Sequence, residues 1–304
     1  MELISLILGF IVGAGTSIGN AFNVSLSKDL GDLGAAWVFF ATSTLCCVTL
    51  IVLKDPSQIL NLNFKILPWY LWSSGFINIL GVIMIIFATK SLGLYRATLV
   101  ILSSQIFFSL IFDHLGLMGI PKISFSLLRM FGFLVLILGC GLSAEFSSRE
   151  FETLSLAGFL VAFFAGFCVA FTGILNVGVA AYLDILRASL SYFLPGTVLL
   201  GIWCFLSDKK FLNLVLHQKT YLYLVGVINT LLIIVQTWSI TFVGEGLFFS
   251  IFFIGQTAMA LWINSKGYPE MERTFVTPRK IGALSIAVFG LLFLYGGSSG
   301  VLSY

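Results

Sequence analysis

The 304-residue sequence is poor in charge: Asp, Glu, Lys and Arg together make up 10% of it. A soluble domain carries roughly a quarter, so this chain lacks the means to cover a water-facing surface. No soluble catalytic or binding domain fits in its short loops. It has two histidines and five cysteines, Cys46, Cys47, Cys140, Cys168 and Cys204, with no metal-ligand spacing among them. No metal and no cofactor is expected. The cysteines lie in apolar runs and read as small buried side chains. No Walker loop or nucleophile elbow occurs. The net charge of +3 is too small to point to nucleic acid, and that class is set aside. Met1-Glu2 leads straight into an apolar run with no basic stretch, so the first helix is expected to be retained.

What the chain has in excess is apolar length. It is 59% hydrophobic, with a mean hydropathy of +1.07. Ten apolar runs are visible, at about 3–25, 33–53, 68–89, 93–112, 126–144, 154–179, 187–206, 219–241, 246–263 and 278–296. Most approach the ~20 residues that cross a bilayer as a helix. The expectation is an all-α integral membrane protein with ten transmembrane helices.

The run at 93–112 carries Thr98, Gln105 and Ser109, and Asp113 follows at the same helical spacing. A glutamine in mid-bilayer is costly against lipid, so this polar stripe faces other helices or water. The frame returns 151 residues on: Gly93, Gln105, Leu110 and Gly116 match Gly244, Gln256, Leu261 and Gly267. Gly75 and Ile77-Asn78 match Gly226 and Ile228-Asn229 at the same offset. Gly13 and Asn23-Val24 match Gly166 and Asn176-Val177 at 153. Arg129 and Gly132 match Arg279 and Gly282 at 150. Matched amides in an apolar background signal an internal repeat.

The first repeat is expected over 1–145, a charged linker over 146–153, and the second repeat over 154–304. Five is odd, so the second repeat enters the membrane upside down. Two inverted-topology five-helix repeats characterise secondary transporters, whose solute site lies at mid-depth between the halves. Lys and Arg fall eleven to one side and five to the other, all 16 of them counted. The richer side is expected to be cytoplasmic, which puts both termini outside.

Four amides sit near mid-span: Asn78, Gln105, Asn229 and Gln256. They line a solute cavity or tie helices together. Asn20, Asn23 and Asn176 lie on stripes of small and polar residues toward span ends, as cavity rim or as caps. Asp113 and His114 close the fourth span, as a proton site or as an interfacial pair in a turn. Glu245 opens the ninth span and reads as an interfacial helix-start acid. No Asp or Glu is expected deep in any span. Trp72, Trp238, Trp262, Tyr95 and Tyr192 fall near cavity-facing positions, or serve as interface belts.

The stretch Asp113-His114-Leu115-Gly116-Leu117-Met118-Gly119-Ile120-Pro121, followed by Leu127-Leu128-Arg129 and Gly132, resembles the YdcZ-like branch of the drug/metabolite transporter superfamily. Gln105, eight residues before Asp113, fits that pattern, as does Asn23 after a Gly-rich first span. The second copy, Asn264-Ser265-Lys266-Gly267-Tyr268-Pro269, is degraded. Gly19 and Thr172 stand where that family usually has Gln. The resemblance covers the whole chain as a fused antiparallel pair. It implies a ten-helix transporter of the bacterial cytoplasmic membrane, without naming a substrate.

The expected function is therefore secondary transport of a small neutral, zwitterionic or amphipathic solute by alternating access. The partners are that solute and the lipid bilayer. With no ATP-binding element, energy comes from a gradient or from the solute itself. A non-transporting membrane sensor or scaffold is the rival if no central cavity exists. A membrane-embedded enzyme would need clustered His, Asp, Glu or Ser at mid-depth, which the sequence lacks.

Overall fold

The computed structural model describes residues 2–55, 66–143, 156–208, 210–268, 273 and 277–296. No strand occurs among them. The helical stretch Glu2–Lys54 breaks at Gly31, whose backbone (φ 70°, ψ 171°) does not fit a helix. It supplies two helices, α1 (residues 2–30) and α2 (residues 32–54). There follow α3 (Ser73–Leu92), α4 (Leu94–Leu115) and α5 (Leu127–Ser143). The second half contributes α6 (Leu156–Tyr182), α7 (Ile185–Ser207), α8 (Leu224–Val243), α9 (Glu245–Lys266) and α10 (Pro278–Gly296). A six-residue helix, Phe211–Leu216, lies in the link between α7 and α8.

These ten helices correspond to the ten apolar runs. Those from α1 to α4 and from α6 to α9 are long and apolar enough to cross a bilayer, while the apolar parts of α5 and α10 are shorter. Leu3, Leu53, Trp69, Leu127 and Leu206 stand on the outer face, each more than two thirds exposed. A surface this apolar is a lipid-facing one. The linker expected at 146–153 lies outside the described residues.

The halves pack as mates related by a twofold. α1 lies on α8 and α9, and α6 lies on α3 and α4; α5 pairs with α10. Between α2 and α7, residues touch their own repeat mates. Thr44 Oγ1 is 2.7 Å from Thr197 Oγ1, 153 positions on. The rings of Phe40 and Phe193, separated by the same offset, are 6.4 Å apart. A residue in contact with its own mate must sit near the pseudo-twofold axis.

The matched glycines have physical reasons. Gly93 (φ 80°, ψ 153°) and Gly244 (φ 76°, ψ 167°) make the same turn into α4 and α9, in a region closed to most side chains. Gly116 and Gly267 end those helices in the left-handed conformation, which lets them cap the last turn. Gly13 and Gly166 serve close approach instead. A Cβ on Gly13 would overlap the Phe252 carbonyl and lie 2.9 Å from the Gln256 amide nitrogen. A Cβ on Gly166 would overlap the Ile101 carbonyl and lie 2.9 Å from the Gln105 amide nitrogen. The small residues thus bring α1 and α6 against the helical turns that carry the two glutamines.

Candidate functional site

That approach leaves a cavity of about 90 Å³ at mid-depth between the halves. At roughly 10–15 Å³ for each water-sized sphere, it holds several waters or a small solute. Asn78, Gln105, Asn229 and Gln256 all line it. So do Asn20 and Asn23 of α1 and, unforeseen in the sequence, Thr16, Thr172 and Gln236. Phe39, Tyr192, Phe193 and Phe252 supply aromatic walls. No charged side chain lines it among the described residues.

The amides differ in what holds them. Asn78 donates from Nδ2 to the Tyr192 carbonyl at 3.3 Å. Asn229 donates to the Val225 carbonyl of its own helix at 2.7 Å. Gln105 Nε2, Gln256 Oε1 and Asn23 Oδ1 are buried without a hydrogen-bond partner among the described residues. Buried polar atoms are costly unless satisfied. Here all three belong to residues that line one cavity.

Asn176 was grouped with these residues on sequence grounds, and the structure places it elsewhere. It is fully buried, does not line the cavity, and donates from Nδ2 to Thr237 Oγ1 at 2.6 Å. Its mate Asn23 reaches the cavity. Of the aromatic positions, Tyr192 is a wall residue, while Trp72 and Trp262 are about half exposed on the outer face.

Asp113 and His114 part company. His114 is exposed, and its Nδ1 accepts from the Phe125 amide at 3.2 Å. Asp113 is fully buried. Its Oδ2 accepts from Arg129 at 2.8 Å and from the Gly246 amide at 3.0 Å. Its Oδ1 accepts from the Glu245 amide at 2.9 Å. The carboxylate therefore caps the start of α9, where unpaired amides and the helix dipole favour a negative charge. Arg129 also donates to the Ile123 carbonyl at 3.1 Å. One buried cluster thus ties the end of α4, the segment after it, the start of α5 and the start of α9.

The cluster is one-sided. The mates of Asp113 and Arg129 are Asn264 and Arg279, and Arg279 is exposed. Arg129, counted in the sequence among the loop cations, has only 1% of its surface exposed. Its position 16 residues after Asp113, beyond a Pro-containing turn, was the available signal.

Glu245 departs from the sequence reading in one respect. It opens α9 as expected, but it is fully buried. Neither carboxyl oxygen has a partner of good geometry among the described residues: Ser109 of α4 stands beside the carboxyl but donates to the Gln105 carbonyl at 2.8 Å. No group of His, Cys, Asp and Glu suited to a metal ion occurs among the described residues either.

Comparison with known proteins agrees with this architecture. A solved crystal structure aligns over 97% of this chain and 99% of its own, with a TM-score of 0.58 and 14% identity. That likeness shows the fold alone. No curated protein matches in sequence. A family model described as "Putative inner membrane exporter, YdcZ" matches residues 4–142 and again 157–293, once for each repeat. The chain, a multi-pass inner-membrane transporter with two inverted five-helix repeats, belongs to that family of the drug/metabolite transporters.

Proposed function

We propose that the chain moves a small neutral, zwitterionic or amphipathic solute across the membrane by alternating access. The observation that carries this reading is the convergence of Gln105 with Gln256, and of Asn78 with Asn229, on one cavity free of charged side chains. Amides offer donors and acceptors to a polar solute, but nothing there neutralises a lone charge. The mid-depth position between inverted repeats suits a site that each side reaches in turn. The family description agrees with export.

Gln105→Leu and Gln256→Leu are each expected to lower transport about tenfold, the worth of one hydrogen bond to a buried solute. The assay is a solute panel in proteoliposomes, with thermal stability measured in parallel. If the glutamines only tied helices together, stability would fall by ~0.6 kcal/mol and transport per folded molecule would persist.

The reading places the protein in a bacterial cytoplasmic membrane with both termini outside. Removing buried Arg129 from the loop count leaves the charge imbalance with the same sign. Lys266, exposed at the end of α9, belongs to the basic side. A cysteine at Lys266 is expected to resist an impermeant thiol reagent in intact cells and to react after permeabilisation. Labelling from outside would invert the orientation.

A further inference from the structure

We propose that Glu245 is the proton-binding site of the transport cycle, seated between the solute cavity and the Asp113–Arg129 pair. Its part in the cycle rests on the transporter reading above; the proton binding does not.

Three observations on geometry carry it. Glu245 is 0% exposed, and neither of its carboxyl oxygens has a partner of good geometry among the described residues. Room for the carboxyl is left by Gly173 of α6: a Cβ there would lie 2.6 Å from Glu245 Oε1. The same point is 3.4 Å from Nε2 of Gln236, which lines the cavity. The carboxyl is therefore next to the cavity wall on one side, while its own backbone amide is bonded to Asp113 on the other.

The charges around it are few. α4 brings Asp113, and α5 brings Arg129, while His114 at the end of α4 and Lys122 in the segment after it are exposed. α6 and α8 contain no charged residue. α10 carries Arg279 and Lys280 at its far end, and α1 carries Lys28 and Asp29 at its far end, with Glu2 opening it on the near side. Arg129 is bonded to Asp113, and no cation is bonded to Glu245 among the described residues. With Glu245 protonated, the trio with Asp113 and Arg129 is neutral. When the O–H bond breaks and the proton passes to cavity water, the trio carries a net negative charge. An unpaired negative charge in a water-poor interior repels the neighbouring Asp113 carboxylate and so strains the Asp113–Arg129 cluster. Proton loss at the cavity wall is thereby coupled to the cluster that holds α4, α5 and α9 together.

The test uses the full chain purified in detergent and reads protons directly, by infrared difference spectra recorded across a pH titration. Wild type is expected to show a carboxylic-acid C=O band that changes with pH, and E245Q is expected to lack it. E245D, which keeps a carboxyl, is expected to retain a band with a displaced midpoint. Size-exclusion profiles show that each variant is folded. Difference spectra of folded E245Q identical to those of wild type would overturn the proposal, as would a pH-independent wild type. A Glu245 band in a protein that moves no solute would instead overturn the transporter reading alone.

Discussion

Arg129→Met is expected to destabilise the protein by about 3–5 kcal/mol, the largest loss from any single substitution considered for this chain. Arg129 is the one cation bonded to Asp113 among the described residues, at 2.8 Å, and both side chains are buried to within 1%. Removing it leaves a buried carboxylate held by two backbone amides and no countercharge. A second donation, to the Ile123 carbonyl, is lost as well. The measurement is unfolding of the purified protein in mixed micelles. Two comparisons separate this cause from bulk or general charge. Arg279→Met alters the repeat mate, which is exposed, and should change stability by less than ~0.5 kcal/mol. The double variant D113N/R129M removes both charges, so it should be less damaged than the single Arg129→Met change. Equal losses in the single and double variants would mean that the pair does not act as a unit.

The same cluster shows where a sequence can and cannot be read. The helices, their inverted pairing and the two cavity glutamines were visible because polar residues and glycines recur at constant offset. Such residues have reasons within one helix or at one contact. Gly93 and Gly244 repeat because the same turn recurs. Gly13 and Gly166 repeat because each meets the backbone beside a glutamine. The burial of Glu245 was missed because position along a helix fixes depth in the membrane but not what lies across from it. A carboxylate at a helix start is ordinarily wet. Here the start of α9 is docked under Asp113, and the segment after α4 closes over it: a Cβ on Gly244 would meet Ile123 Cδ1 at 2.8 Å. Asn176 failed for the reverse reason. It matches Asn23 in sequence, yet Thr237 sits within its reach and draws the amide out of the cavity wall. Repeat symmetry fixes where a residue's mate stands, while the unmatched neighbours decide what it touches.

Gly13→Ala and Gly166→Ala are expected to cost at least about 1–3 kcal/mol each, although either change would ordinarily favour a helix. One methyl group is enough because its obstacle in both cases is backbone. On α1 the new Cβ would overlap the Phe252 carbonyl, and on α6 the Ile101 carbonyl. A clash with a flexible side chain could be relieved by rotation. A clash with a helix carbonyl is relieved only by moving a helix. Gly282→Ala is the control: nothing lies within 4 Å of a Cβ there. It should be neutral or slightly stabilising, since alanine restricts the unfolded chain. The displaced helix also matters for transport, because the contacted turns bear Gln105 and Gln256. Moving α1 off α9 shifts Gln256, and moving α6 off α4 shifts Gln105. The two glycines meet different helices, so their stability losses should add in the double variant. Their transport losses should not add, because a cavity that has lost either glutamine's position is already impaired. Stability matching that of wild type in Gly13→Ala or Gly166→Ala would contradict the close packing of α1 on α9 and α6 on α4 from which the cavity is built.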